Sequence, residues 1–212
     1  MRLRKIPSAR GRLDLQPELV VLDPACHKGR WKGRFGNGNP IFLEIGAGKG
    51  QFICGVSEQL PGVNFLGMEK YDSVLLRAMQ RLTATPRQNT LLVLGEAEKL
   101  LDYFDENEIQ RLYLNFSDPW HKKRYTKRRL THTIFLEKYH HILLPNSEIH
   151  IKTDNRKFFE FSLQQMNEYG MVFDCINLDL HAEEPESNIR TEYEVSRSAG
   201  GATIYRLVCR FR

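Results

Sequence analysis

Between residues 41 and 169 the apolar positions switch regularly between two periods. IFLEI (41–45), VNFLGME (63–69), TLLVLG (90–95), RLYLNF (111–116) and SEIHIKT (147–153) are short, nearly unbroken apolar runs flanked by turn residues, the pattern of strands buried on both faces. The segments between them space their apolar residues by three and four. GQFICGVSEQL follows the first run, and YDSVLLRAMQRL the second, with Val74, Leu75, Ala78, Met79 and Leu82 on one helical face. A shorter helix is expected after the third run. THTIFLEKYHHILL (131–144) reads as a helix with a threonine cap, and RKFFEFSLQQMNEYG as one capped by Asn155 and stopped by Gly170. Alternating strands and helices predict an α/β domain, a mostly parallel sheet with helices on both faces. MVFDCINLDL and ATIYRLVCRF are further strands with only a polar loop, His181 to Gly201, between them. They predict an antiparallel pair at one edge.

Ligands of such sheets bind at the carboxyl ends of the strands. The first strand runs into EIGAGKG, where Gly46, Gly48 and Gly50 permit a tight turn and close approach of a ligand to the backbone. Gln51 stands where a dinucleotide fingerprint needs its third glycine, and the triphosphate-loop pattern is missing too. A nicotinamide enzyme is therefore disfavoured. Four acids stand at or beside successive strand ends: Glu44, Glu69, Glu96 and Asp118. Each alone is more often an ordinary turn or surface carboxylate, but four at one sheet edge make an acidic, glycine-lined pocket. Such a pocket repels phosphate and suits a cationic nucleoside such as S-adenosyl-L-methionine, whose sulfonium and ammonium are positive. Glu69 is placed to accept hydrogen bonds from two ribose hydroxyls, and Glu96 from an adenine amino group.

The net charge of +5 conceals two basic segments. Residues 1–34 hold nine Lys/Arg against three Asp/Glu, and residues 119–136 hold six Lys/Arg and no acid. The remainder is acidic, with 16 bases and 23 acids. Basic segments on an acidic body suit a polyanion, and the second of them follows directly on Asp118. The expected organisation is a mobile basic segment, 1–34, ahead of one catalytic domain, 35–212. At 212 residues and 41% hydrophobic content the chain is long enough to bury a sizeable core. No apolar run nears the ~18 residues of a membrane span, so a soluble cytoplasmic protein is expected. The four cysteines form no C-x-x-C pair and the seven histidines show no ligand spacing, so no metal site is expected. The cysteines read as reduced, mostly buried thiols.

Taken together, EIGAGKG, LNFSDPWHKKR, IKTDN and TEYE resemble the bacterial tRNA (guanine-N7-)-methyltransferases over about residues 40–210, with SDPW and KTDN the specific part. The resemblance implies a Rossmann-like, S-adenosylmethionine-dependent methyltransferase fold. It also implies methyl transfer from S-adenosyl-L-methionine to N7 of a guanine in the variable loop of tRNA (position 46). Donor binding is implied for Glu44, Gly46, Gly48, Glu69, Glu96 and Asp118, with Asp118 also the catalytic residue. Lys122, Asp154, Thr191, Glu192, Tyr193 and Glu194 are implied to contact the target nucleoside. Arg124, Tyr125, Thr126, Lys127, Arg128 and Arg129 are implied to hold the tRNA. Three positions depart from the family pattern: Glu96 stands for the usual Asp, His121 for a common Pro and Tyr125 for a common His. An RNA-binding module without catalysis is the rival from another class. The intact acids and glycines argue against it, because a pure binder has no use for an acidic pocket beside its phosphate grip. Monomer and homodimer both stay open.

Overall fold

The computed structural model describes residues 5–212. One sheet holds eight strands: β1 (Val20–Val21), β2 (Ile41–Ile45), β3 (Asn64–Glu69), β4 (Thr90–Leu94), β5 (Ile109–Asn115), β6 (Leu143–Thr153), β7 (Val172–Asn177) and β8 (Tyr205–Arg210). The α-helices are α1 (Ala9–Asp14), α2 (Trp31–Phe35), α3 (Gln51–Gln59), α4 (Asp72–Ala84), α5 (Leu100–Tyr103), α6 (Thr133–Ile142), α7 (Arg156–Glu168) and α8 (Glu192–Ala199). The strands lie in the order β1-β4-β3-β2-β5-β6-β8-β7. All pairs among β1 to β6 are parallel, and β8 runs antiparallel to β6 and β7. The expected parallel sheet and its antiparallel edge are both present. Every residue of β2 and β3 is buried, which is why those strands read as unbroken apolar runs. Edge strand β7 is half-buried to exposed along its whole length.

From β2 the chain builds outward through β3 and β4 on one side, then returns to place β5 and β6 on the other. The strand order therefore reverses between β2 and β5. A crevice opens beyond the carboxyl ends of strands at such a switch point, and Glu69 and Asp118 line it.

Three sequence expectations need correction. The segment up to residue 34 is no separate head, because an apolar pattern hidden among its cations docks it. Ala9 and Leu13 of α1 pack with Leu75, Leu76, Met79 and Leu82 of α4, and β1 extends the sheet beside β4. Trp31 is fully buried, donates from Nε1 to the Tyr103 carbonyl at 2.9 Å and stacks on Phe104. Burial of large apolar side chains contributes about 1.5–3 kcal/mol each, which works against the entropy of ordering the segment. Met1 to Arg4 lie outside the described residues.

Second, His132 rather than Thr131 caps α6, its ring accepting from the Ile134 amide, and Leu143 and Leu144 already belong to β6. Thr131 is buried, its hydroxyl 2.8 Å from that of Ser162. Third, only Cys209 is buried; Cys54 and Cys175 are half-buried and Cys26 is exposed, all as free thiols. Asn155 does cap α7, accepting from the Phe158 amide at 2.9 Å.

Candidate active site

β2 ends in the glycine turn, where Gly46 (φ +82°), Gly48 (φ +57°) and Gly50 (φ +80°) all take left-handed backbone angles that L side chains rarely adopt. At Gly50 a Cβ would also meet Ala78 of α4 at 3.0 Å. Beyond the turn lies a cavity of about 570 Å³ whose walls include Gly46, Glu69, Glu98, Asn115, Ser117 and Asp118. That size is within the ordinary range for a small-molecule site, ~300–1,000 Å³. Glu69, at the end of β3, is buried and accepts the Tyr71 amide (3.0 Å) and the Gly48 amide (3.3 Å). Burial pushes its pKa up, and the backbone donors hold it back.

Glu44 lies deeper, 3% exposed, and takes one hydrogen bond on Oε1 from the Asn115 side chain at 2.9 Å. Its Oε2 is buried without a partner among the described residues. Burial pushes this carboxyl up to about 7, against the opposing pull of Asn115 and the Lys152 ammonium. A buried carboxylate with an unpaired oxygen favours any cation brought beside it. Ser117 likewise has a buried hydroxyl without a partner, on the cavity wall.

The strand-to-loop passage after β5 is strained at two aromatic residues, Phe116 (φ +52°) and Trp120 (φ +41°). Between them Asp118 is exposed at the cavity rim and makes no hydrogen bond or ion pair among the described residues. Arg129 fixes the loop from behind. Its guanidinium donates to the Pro119 carbonyl (2.9 Å) and the Trp120 carbonyl (3.2 Å) and lies over the Phe161 ring. Residues Lys123–Arg128 wind into a 3₁₀ turn. Within it the Arg124 and Arg128 guanidiniums sit 4.8 and 4.9 Å from the Tyr125 ring, and Arg128 also faces Trp120. Stacking keeps those two guanidiniums presented as a group, while Lys122, Lys123 and Lys127 point to solvent.

The polar loop expected at 181–201 contains helix α8. Thr191 caps it by accepting the Glu194 amide at 2.9 Å, and Glu194 reaches back to the Thr191 amide, a capping box. The T-x-x-E spacing was the available signal for this helix. Glu192 pairs with Lys49 of the glycine turn at 3.0 Å and with Arg81 of α4. The Tyr193 hydroxyl lies 3.3 Å from Asp154, and its ring is 5.1 Å from that of Phe116 on the cavity wall. Asp154 also holds Arg197 at 2.6 Å. Glu194 is wholly buried and bonded to Lys152 (2.6 Å), His181 (3.0 Å) and Asn188 (3.1 Å).

Of the residues expected to hold the donor, the cavity wall therefore includes Gly46, Glu69 and Asp118, with Glu44 beneath and Gly48 turned toward Glu69. Glu96 is not on the wall; it is exposed at the start of a 3₁₀ turn, and Glu98, one residue past the neighbouring Ala97, lines the cavity instead. Among the expected RNA contacts, Arg129 is engaged by its own loop. Among the nucleoside contacts, Glu194 faces the interior and Lys122 is exposed beside the loop. Sequence reasoning missed Asn115, Ser117 and Glu98 on the cavity wall and the buried Lys152, polar residues whose placement is invisible without the fold. His181, Glu184 and Glu194 bring ligand-type atoms within 4.8 Å of one another. Glu194 is already closed by Lys152 and Glu184 by Arg190.

A sequence-family profile described as a putative methyltransferase matches residues 38–207. A tRNA (guanine-N(7)-)-methyltransferase of Exiguobacterium sp. is 50% identical over 212 residues, covering 100% of this chain and 99% of that protein. Proteins of the same name from Lysinibacillus sphaericus and Bacillus velezensis are 49% and 47% identical, each covering 100% of this chain and 98% of its own length. Among solved structures, the 16S rRNA methyltransferase KamB superposes with a TM-score of 0.66 at 12% identity, over 86% of this chain and 93% of that one. A SAM-dependent methyltransferase from Aquifex aeolicus gives 0.58 at 13% identity, over 99% and 100%. These structural likenesses speak for the fold, and the close relatives speak for the family. The chain belongs to the tRNA (guanine-N7-)-methyltransferase family.

Proposed function

We propose that this chain transfers the methyl group of S-adenosyl-L-methionine to N7 of guanine in the variable loop of tRNA (position 46). The observation that carries the reading is the place of Asp118, free on the rim of a cavity whose walls include Glu69 and Glu98, and four residues ahead of the cationic run that begins at Lys122. The donor set fits the cosubstrate. The unpartnered Glu44 oxygen suits an ammonium, Glu69 at the end of β3 suits ribose hydroxyls, and the left-handed glycine turn lets a ligand approach the backbone. When bound, S-adenosyl-L-methionine supplies an electrophilic methyl group on a positive sulfur.

Guanine N7 attacks through an in-plane lone pair and carries no proton, so no general base is required. The chain must align the reacting atoms at about 3–3.5 Å and accommodate the positive charge that moves onto the purine. Asp118, the exposed rim carboxylate, favours that charge and accepts from the guanine N1–H edge. Lys122, Lys123, Lys127 and the stacked Arg124 and Arg128 grip phosphates without reading sequence. Among the described residues no helix is long and apolar enough to cross a membrane, and a tRNA substrate supports a cytoplasmic activity. Incubation of unmodified tRNA with labelled donor, followed by chemical cleavage specific for 7-methylguanosine, tests the reading. A cut in the variable loop is expected; label on another base or another nucleic acid would overturn it.

A further inference from the structure

Lys152, the second residue of IKTDN, stands outside every role assigned so far, yet it is the most completely engaged cation among the described residues. It lies on β6 with 5% exposure. Its ammonium donates to Glu194 (2.6 Å), to the Ile189 carbonyl (2.8 Å) and to Asn188 (3.2 Å), which accounts for all three of its protons. The Phe52 ring of α3 lies 5.3 Å away. Glu194 in turn holds His181, Asn188 and the Thr191 amide. One buried ion pair thus gathers both ends of the segment 181–194 and the first turn of α8.

What leaves that turn on its outer side is chemistry. Tyr193 projects to Asp154 and the Phe116 ring, and Glu192 to Lys49 in the glycine turn. Gln51 at the start of α3 donates to the Arg190 carbonyl at 2.9 Å. The segment therefore spans from the glycine turn to the loop after β6, across the edge where Phe116 walls the cavity. Its outer contacts are exposed or half-exposed pairs, each worth about 0–1 kcal/mol, too little to hold a polar loop in one place. The buried pair is the element with a fixed geometry.

We propose that Lys152 is a positioning residue for methyl transfer: anchored to Glu194, Asn188 and Ile189, it sets helix α8 so that Tyr193 and Asp154 face the incoming nucleoside beside Asp118. The proposal rests on the methyltransferase reading for its kinetic consequence and on geometry alone for its structural one. Replacing Lys152 by methionine leaves the buried Glu194 carboxylate without its ammonium partner, held only by His181, Asn188 and the Thr191 amide, which destabilises the fold by itself. The pair Lys152→Met with Glu194→Gln removes the ammonium without stranding a charge. The two together separate positioning from stability.

The experiment uses the full chain in three forms: parent, Lys152→Met, and the double variant Lys152→Met/Glu194→Gln. Melting temperature, donor affinity by calorimetry at pH 8.5, steady-state kcat/KM for tRNA, and amide exchange are measured on each. The double variant is expected to recover most of the melting temperature lost by Lys152→Met and to bind donor within threefold of the parent. Its kcat/KM for tRNA should stay at least tenfold down, and amides 190–199 should exchange at least tenfold faster while the strands keep their protection. A double variant with restored melting temperature, parental kcat/KM and parental exchange in 190–199 would overturn the proposal and reduce Lys152 to a fold-stabilising residue. The exchange arm needs no RNA. It judges the anchor even where the parent methylates something other than tRNA, an outcome that would count against the proposed function alone.

Discussion

On the cavity side of Asp118, Glu44 and Glu69 are buried carboxylates with no cation within 4 Å among the described residues, and they are held only by an amide side chain and backbone N–H groups. On the α8 side the acids are closed: Asp154 by Arg197, Glu192 by Lys49 and Arg81, Glu194 by Lys152. The first group ends two buried apolar strands and the second lies in or beside a polar loop, yet both are carboxylates at one edge of the sheet. A buried carboxylate without a counter-ion leaves a demand that a cationic ligand meets, whereas a neutralised one fixes backbone. The comparison separates acids that still lack a counter-ion from acids already neutralised within one site, and it motivates the proposed role of Asp118, which makes no hydrogen bond or ion pair among the described residues.

The largest effect expected from this division is at Asp118. Asp118→Asn should lower kcat by about 100-fold or more, the scale of losing one preorganised electrostatic partner, while donor affinity stays within about threefold. Single-turnover transfer with labelled donor measures it; an equal loss in donor affinity would move Asp118 to the cavity group. Next, Glu44→Gln should weaken donor binding by roughly 10- to 100-fold, as expected for a charge-assisted hydrogen bond of about 1.5–3 kcal/mol, with kcat at saturating donor nearly kept. Calorimetric titration reads this directly, and unchanged affinity would remove Glu44 from the ligand-binding acids.

A smaller contrast lies within the basic run. Lys127→Ala should flatten the dependence of log affinity for tRNA on log salt by about 0.7–0.9. Arg129→Ala should leave that slope alone and lower kcat by roughly tenfold, because its guanidinium holds the Pro119 and Trp120 carbonyls and misplacing the loop misplaces Asp118. Equal slopes for both variants would put Arg129 back on the RNA. The smallest effect belongs to Glu192→Gln, whose partly exposed pairs with Lys49 and Arg81 contribute about 0–1 kcal/mol, visible as a drop of a few degrees in melting temperature at most.

What the sequence made legible follows from the same physics. β2 and β3 are buried on both faces, so their apolar runs stood out, and the acids at their ends were correctly put at one sheet edge. The docking of residues 5–35 was obscured because seven cations surround the few apolar residues that do the packing, Leu13 and Trp31 among them. Which acid is neutralised could not be read at all. Lys152 and Glu194 are 42 positions apart, and only the fold shows that they meet. Glu96 and Glu98 illustrate the same limit at short range, since a 3₁₀ turn after β4 decides which of them lies on the cavity.

The central claim, that unneutralised acids draw the donor, is tested most directly by protons. In the free chain burial raises the Glu44 carboxyl to about 7, so the folded form holds a proton that the unfolded chain, with an ordinary carboxyl, has released by pH 6.5. On this sign the Glu44 contribution to the free chain's stability falls as pH rises from about 4.5 through 7. A bound cation favours the carboxylate, so donor affinity should rise with pH toward 7 and level off above it. Titration with S-adenosyl-L-methionine at pH 6.5, in two buffers of different ionisation heat, counts the protons released. The account predicts measurable proton release on donor binding, less than one proton per site and abolished in Glu44→Gln. Tight binding with a heat independent of buffer would contradict it.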